Sequence, residues 1–275
     1  HRMARAALEM GAWNLAARRA GRPLAAVLGG ERRQVETGIS LGIREDPAQL
    51  VERAREAARE GYRKVKLKIE PGADVEHVSA VRETLGDDVS LAVDGNAAYT
   101  LDDLDRLRRL DDLGLLMIEQ PLEREDLVRH ARLQRELRTP VCLDESITSP
   151  ARARDMVELG SGRIVNVKPG RVGGFGPSLR IHDLCGEADV PVWCGGMLET
   201  GIGRGYNVAL ASLPNFRLPG DLSPSARYWE RDIVDPEWTM DDEGRVTVPR
   251  DRPGLGVEVD EERVEQLTVR REVIA

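Results

Sequence analysis

Six short apolar segments recur along the chain at a nearly constant interval, and each ends in a polar or charged residue. The gaps between successive ends are 28, 26, 25, 25 and 24 residues, and a seventh segment, PVWCGGM, reaches Gly196 after 28 more. The first six ends are Ser40, Lys68, Asp94, Glu119, Asp144 and Lys168. Such an interval accommodates one strand, one helix and two short loops. The pattern predicts an α/β fold of the (β/α)8 barrel type, in which all strand ends converge on one bowl.

The stretches between these segments have helical periodicity. Strand-like runs such as KVKLKI and SLAVD alternate with amphipathic runs such as QLVERAREAAREG and LDDLDRLRRLDDLG, which predicts a parallel sheet covered by helices. The alternation of strand-like and helical runs ends after about Asp221. Turn signals, a GRVTVP strand and an acidic terminal helix follow. We therefore expect a helical segment at 1–34, a barrel with the active site at 35–221, and a C-terminal segment at 222–275 that packs on the barrel.

Composition narrows the range of partners. A chain of 275 residues suits one barrel of ordinary size. The net charge of −8, with arginines spread along helical faces, argues against nucleic-acid binding and favours a small-molecule substrate. No apolar stretch approaches the roughly 18 residues of a membrane-spanning helix. Three cysteines, an odd number, predict buried free thiols and a cytoplasmic location.

Three carboxylates stand at the ends of neighbouring strand-like runs. Asp94, Glu119 and Asp144 follow SLAVD, LLMIE and VCLD, where an acid directed into a barrel is costly without a cation. Hard oxygen ligands in a set of three suit Mg²⁺, with Mn²⁺ as an alternative. Each acid alone is explained better as a helix cap or loop residue. Because all three occur in phase, we predict a metal site.

Two lysines complete the expected pocket. Alternation in KVKLKI puts Lys64, Lys66 and Lys68 on one face of a strand, and an exposed edge strand is the alternative interpretation. In a closed barrel, Lys66 would disfavour a second positive charge and lower the pKa of Lys68, making Lys68 a general base. Lys168 ends a strand on the far side. Two opposed amines and a metal ion predict removal and return of a proton next to a carboxylate, with the enediolate stabilised by the ion.

Other residues at the strand ends are weaker candidates. Ser40, Gly196 and Met197 are placed to contact a substrate, although small residues there are often turn formers. Arg171 follows Lys168 and is placed to tune its charge, unless it forms a surface ion pair. Asn96 is placed to orient the metal shell. The histidines show no ligand spacing, so no role is assigned to them.

Six motifs in order match one family. KLKIEPG, VDGNAAYT, IEQPL, CLDES, VNVKPGRVGG and WCGGMLETG resemble the o-succinylbenzoate synthase and N-succinylamino acid racemase family, in the muconate-lactonising subgroup of the enolase superfamily. The resemblance implies a modified TIM barrel with an α+β capping domain, of which 1–34 would be the last helical part of a longer chain. It also implies Mg²⁺ ligands at Asp94, Glu119 and Asp144, and acid/base lysines at Lys68 and Lys168.

The family also implies a function for the remaining candidates. Ser40, Gly196, Met197 and Leu198 correspond to substrate-contacting positions, and Arg171 to an arginine associated with racemase competence. We expect a Mg²⁺-dependent o-succinylbenzoate synthase, a dehydratase of menaquinone biosynthesis that acts on a small carboxylate, with N-succinylamino acid racemase activity and as a homo-oligomer. The alternatives are a dedicated N-acylamino acid racemase, a dipeptide epimerase, and a catalytically silent metal-binding barrel without its cap.

Overall fold

The computed structural model describes residues 1–273 and consists of alternating strands and helices. The strands are β1 (Gln34–Glu36), β2 (Gly38–Leu41), β3 (Lys64–Lys68), β4 (Ser90–Asp94), β5 (Met117–Glu119), β6 (Val141–Leu143), β7 (Ile164–Val167), β8 (Val192–Cys194), β9 (Val234–Asp235), β10 (Arg245–Thr247) and β11 (Glu258–Val259). The helices are α1 (Arg2–Arg19), α2 (Leu24–Leu28), α3 (Pro47–Arg59), α4 (Val75–Leu85), α5 (Leu104–Asp111), α6 (Leu127–Glu136), α7 (Pro150–Leu159), α8 (Pro169–Val172), α9 (Phe175–Glu187), α10 (Gly201–Ala211) and α11 (Glu261–Leu267). Within this described part of the chain, no helix has the length and apolar character needed to cross a membrane.

Side-chain caps fix the start of several barrel helices. Asp46 accepts a hydrogen bond from the backbone N–H of Ala48 ahead of α3, and Pro47 occupies the first helical position. Ser149 caps α7 in the same way, again followed by proline. Proline suits this position because the first N–H groups of a helix have no partner inside it. The caps set where each connection turns back along the barrel.

Strands β2 to β8 form one parallel sheet in chain order. Parallel neighbours need a crossover connection, which the intervening helices supply. The register sets Lys68 beside Asp94 and Asp94 beside Glu119. The predicted barrel architecture is confirmed, and the charged strand ends lie at its carboxyl end.

The segment 216–221 closes the ring between β8 and β2. The backbone N–H of Asp221 donates to the Cys194 carbonyl (2.9 Å), and the N–H of Gly38 donates to the Gly220 carbonyl (2.7 Å). The sequence pattern shows seven strand-like segments only, because the sequence LPGD in this eighth position contains proline and glycine and lacks strand alternation.

The barrel interior has an apolar layer below its charged end. Three of its residues precede Asp94, Glu119 and Asp144 by two positions, and β7 and β8 supply the other two. The layer consists of Ala92, Met117, Cys142, Ile164 and Trp193. The indole N–H of Trp193 donates to Cys142 Sγ (3.3 Å). Lys64 is fully buried beside this layer, with its Nζ 3.5 Å from the Trp193 ring centroid. A larger apolar cluster packs the helices against the outer face of the sheet.

The segments outside the barrel are attached to it by specific contacts. The Glu9 carboxylate of α1 accepts hydrogen bonds from the N–H groups of Phe175 and Gly176 at the start of α9, each 2.8 Å long. Strand β1 pairs with β10, and β9 pairs with β11, both antiparallel. The division into 1–34, 35–221 and 222–275 stays a prediction, and residues 274 and 275 lie outside the described part.

Candidate active site

Two lysine–carboxylate pairs form what we call the rim, at the carboxyl end of the barrel: Lys68 with Asp94, and Lys168 with Asp144. Lys68 Nζ lies 2.6 Å from Asp94 Oδ2 and Lys168 Nζ lies 2.9 Å from Asp144 Oδ2. The Arg171 guanidinium also contacts Asp144. The four residues come from four different strand ends, so the barrel brings them into one bowl as the spacing predicts.

Below the rim lies a buried layer that joins Lys66 to the carboxylates. Lys66 Nζ is 2.8 Å from Glu119 Oε2 and 3.5 Å from Asp94 Oδ2. Asn166, fully buried on β7, donates from Nδ2 to Glu119 Oε1 (2.6 Å). Sequence reasoning missed Asn166, although it precedes Lys168 by two positions and therefore points into the same interior. Glu119 is thus held from two sides.

Burial and the neighbouring carboxylates together raise the pKa of Glu119. Burial, followed by the negative charges of Asp94 and Asp144, raises the pKa of Glu119 to about 7, although Lys66 and Lys168 oppose the shift. Burial also acts to raise the pKa of Asp94, but Lys66 and Lys68 outweigh it and the pKa of Asp94 is lowered. The ionised form of Glu119 is therefore disfavoured, and an additional positive charge beside it would stabilise that form.

The lysines respond in the opposite sense. Burial acts to lower the pKa of Lys168, but Asp144 and Glu119 raise it above its ordinary value. Burial likewise opposes the charge on Lys66, and Asp221, Glu119 and Asp94 together hold the pKa of Lys66 well above its ordinary value. Lys66 is therefore a fixed cation two residues from Lys68 on the same strand.

The donor set fits a divalent cation by its chemistry. Asp94, Glu119 and Asp144 offer carboxylate oxygens from the ends of three consecutive strands, and hard oxygen ligands suit Mg²⁺. Among residues 1–273 the side chains of His, Cys, Asp and Glu form no preassembled group of three for a metal. Each of the three acids is paired with a lysine. The raised pKa of Glu119 indicates that added positive charge would be favourable there.

The predicted substrate-contacting residues lie around the same bowl. Ser40, near the end of β2, pairs with Lys66 in the register, and its buried Oγ has no hydrogen-bond partner within the described structure. After β8, Met197 and Leu198 are 47% and 78% exposed, while the Glu199 carboxylate accepts the Met197 N–H (2.8 Å). A Cβ on Gly196 would lie 2.1 Å from the Asp221 carbonyl oxygen, so only glycine fits there.

A cavity of about 540 Å³ opens beside Lys168. Arg171, Met197 and the first residues of α1 line it. Asn96 lies on another part of the rim, where its Oδ1 accepts from Lys68 Nζ and its Nδ2 donates to Glu145 Oε1 (3.1 Å). Asn96 therefore orients the Lys68 ammonium directly.

Gln120 is a further residue that sequence reasoning missed. It is fully buried, with its side-chain Oε1 accepting the N–H groups of Asp144 (3.0 Å) and Ser146 (3.1 Å). Its Nε2 donates to Ser146 Oγ (2.8 Å). Gln120 ties the loop after β5 to the loop after β6 and so fixes Asp144. Its position directly after Glu119 in the IEQPL motif is the signal that could have found it.

His130 has a structural role at the same loop. Its Nδ1 lies 2.7 Å from the Asp126 carbonyl, and its Nε2 accepts the N–H of Leu122 (3.3 Å). One nitrogen donates and the other accepts, so the ring must be neutral. Burial lowers the pKa of His130, in agreement with this tautomer.

Comparison with known proteins places this site in a family. The enolase C-terminal domain-like family model matches residues 49–263. The chain is 53% identical to an o-succinylbenzoate synthase of Geobacillus stearothermophilus, over 97% of this chain and 70% of that protein. It is also 53% identical to an N-succinylamino acid racemase of Amycolatopsis, over 98% and 72% of the two chains.

Solved structures agree with the sequence relatives. A crystal structure of an enolase superfamily member from Listeria innocua matches with a TM-score of 0.92 and 39% identity, over 96% of this chain and 70% of that one. The resemblance inferred from the six motifs is confirmed. The chain belongs to the enolase superfamily, within the family of o-succinylbenzoate synthases and N-succinylamino acid racemases.

Proposed function

We propose that the chain is a Mg²⁺-dependent o-succinylbenzoate synthase of menaquinone biosynthesis that also racemises N-succinylamino acids. It would dehydrate 2-succinyl-6-hydroxy-2,4-cyclohexadiene-1-carboxylate. The observation that carries the proposal is the arrangement of the rim, in which Lys68 and Lys168 extend from strands separated by those that bear Asp94, Glu119 and Asp144. Enolase superfamily members generally depend on Mg²⁺, and their sites pair a lysine or histidine base with that ion.

Each lysine has a separate task in this proposal. Lys68 Nζ takes the α-proton of the substrate, and the same proton then leaves with the departing hydroxyl as water when the carbon–oxygen bond breaks. Lys168 stays protonated on the opposite side, which agrees with its raised pKa. In racemisation, one lysine removes the α-proton from one face and the other returns a proton to the opposite face.

The other residues bind and orient. Asp94, Glu119 and Asp144 would hold the divalent cation, which supplies positive charge against the substrate carboxylate. Mn²⁺ has the same ligand preference and would substitute. The free hydroxyl of Ser40 and the exposed side chains of Met197 and Leu198 would contact the acyl part of the substrate. Arg171 would limit the movement of Asp144.

A dedicated N-acylamino acid racemase is the second candidate, favoured by the 53% identity to the Amycolatopsis racemase. The dipeptide epimerase alternative is disfavoured because the strand β8 exit reads CGGM, without an acidic pair for an α-ammonium group. The silent metal-binding barrel predicts Mg²⁺ binding without turnover.

The test is incubation of the protein with each substrate, with Mg²⁺ and with EDTA. We expect Mg²⁺-dependent formation of o-succinylbenzoate, followed by its absorbance, together with α-proton exchange in an N-succinylamino acid. Exchange without dehydration would reject the synthase in favour of the dedicated racemase. Metal binding without either reaction would favour the silent barrel.

The three free cysteines bear on the proposed cellular location. Cys142, Cys185 and Cys194 are free and buried, which supports a reducing compartment, and we propose the cytoplasm. Assembly as a homo-oligomer stays a prediction, for which sedimentation velocity is the direct measurement.

A further inference from the structure

Asp221 extends the series of strand-end residues to the eighth position of the barrel. It ends the closing segment 216–221, 25 residues after Gly196. Its carboxylate forms ion pairs with two buried lysines of β3: Oδ2 lies 3.0 Å from Lys66 Nζ, and Oδ1 lies 3.3 Å from Lys64 Nζ. The two cations hold the pKa of Asp221 well below its usual range, although burial opposes this shift. Asp221 is therefore an anion inside the barrel.

The backbone of Asp221 is fixed on both sides. Its N–H donates to the Cys194 carbonyl (2.9 Å), and its carbonyl accepts from Arg204 Nη1 (2.8 Å). Arg204 is only 3% exposed and pairs with Glu199, which in turn holds the loop after β8. The carboxylate consequently approaches Lys66 from a rigid support.

Three carboxylates share the Lys66 ammonium. Nζ lies 2.8 Å from Glu119, 3.0 Å from Asp221 and 3.5 Å from Asp94. Without the negative charge of Asp221, only the weaker attraction of the Trp193 ring, 4.7 Å from Nζ, would remain among the described contacts on that side to oppose Glu119 and Asp94. The ammonium would then pair more tightly with these two acids and compete with a divalent cation for their oxygens.

We propose that Asp221 is a positioning residue: its carboxylate holds the Lys66 ammonium between the closing segment and the Asp94–Glu119 pair, which leaves both of these acids available to a divalent cation. The inference rests on the proposed function in one respect, the assignment of Asp94 and Glu119 as metal ligands. In this assignment Asp221 acts through Lys66 and is not itself a ligand of the ion.

The test compares Mg²⁺ affinity by titration calorimetry, kcat, KM and thermal stability among wild type, D221N, K64M and the double variant D221N/K64M. D221N removes the charge with little change in shape, but leaves Lys64 without its anion and is expected to lose stability. K64M keeps the Asp221–Lys66 pair and serves as the matched control. The double variant removes one buried cation together with one buried anion, so its stability is expected to recover.

We expect the Mg²⁺ affinity and kcat to fall by about tenfold or more in D221N and also in the stable double variant, with KM changed less and K64M close to wild type. Recovery of Mg²⁺ affinity and kcat in the double variant would overturn the proposal, because Asp221 would then only balance the charge of Lys64. A wild-type protein that binds Mg²⁺ but turns over neither substrate would reject the proposed function, while the affinity comparison would still decide the role of Asp221. Wild type without Mg²⁺ affinity would overturn both.

Discussion

Two buried glutamines from outside strand β6 contact its two ends. Each accepts a hydrogen bond from a backbone N–H group, Gln134 at the amino end of the barrel and Gln120 at the carboxyl end. At the amino end, Gln134 Oε1 accepts the N–H of Val141 (2.7 Å). At the carboxyl end, Gln120 Oε1 accepts the N–H of Asp144 (3.0 Å). Their exposures are 3% and 0%. The bond at the amino end satisfies a backbone N–H group of the strand, whereas the bond at the carboxyl end also fixes the position of Asp144, which faces the bowl.

The same contrast holds for the barrel interior. The layer below the site consists of apolar side chains around Trp193, and the buried Lys64 places its Nζ over the Trp193 ring. The rim and the layer around Lys66 consist mainly of titratable groups, and each lysine among them has a carboxylate oxygen within about 3 Å. Barrel enzymes generally place stability at one end and chemistry at the other, and substitutions at the two ends should therefore have separable effects.

The largest expected effect is the loss of a rim lysine. Lys68→Ala and Lys168→Ala should each reduce kcat for dehydration by about 10²–10⁴-fold, the usual contribution of a positioned acid or base. Circular dichroism should show that both variants remain folded. Lys64→Met, at the amino end of the same strand as Lys68, is the matched control and should keep its activity within a few-fold. Equal losses in all three variants would contradict the separation of the two ends.

Substitution of the two glutamines tests the difference between the amino and carboxyl ends of strand β6. Gln120→Ala and Gln134→Ala should both lower the free energy of unfolding, by about 1–3 kcal/mol, because each leaves buried N–H groups without an acceptor. Only Gln120→Ala should also weaken Mg²⁺ binding, by about 10–100-fold, since it frees the backbone of Asp144. Urea denaturation and titration calorimetry measure the two quantities. A similar loss of affinity in Gln134→Ala would refute the distinction.

The smallest expected effect is a pH dependence of stability from His130. The folded state needs neutral His130, whose pKa is lowered by burial, whereas the unfolded chain takes up a proton near pH 6.5. This contribution to stability is fully present above pH 6.5 and is lost as the pH falls below it, by at most about 1.4 kcal/mol per pH unit. Urea titrations of wild type and His130→Gln at pH 7.5 and 5.5 should differ in slope. Parallel pH profiles would remove His130 as the cause.

The barrel and all four residues of the rim could be predicted from the sequence because they depend on local patterns. Alternation within each strand decides which side chains face inward, and the constant interval decides that they meet at one end. Lys68, Asp94 and Lys168 could be selected from these two regularities alone.

The missed residues depend on contacts between distant parts of the chain. Asp221 ends a segment without strand alternation, and its partner Lys66 lies on the first half of the barrel. Gln120 adopts a positive φ of 36° just after its strand, and it contacts the next strand end rather than its own. Asn166 is uncharged and was not distinguished from the apolar residues around it. Pairings between strands of this kind follow only from the closed ring.

The most direct test of the central claim is deuterium exchange at the α-carbon of each enantiomer of an N-succinylamino acid, followed by proton NMR in D₂O with Mg²⁺. Wild type should exchange both enantiomers if Lys68 and Lys168 act on opposite faces, as we propose. Lys68→Ala should retain exchange of one enantiomer, and Lys168→Ala exchange of the other. Exchange of both enantiomers at wild-type rates in either variant would contradict the account.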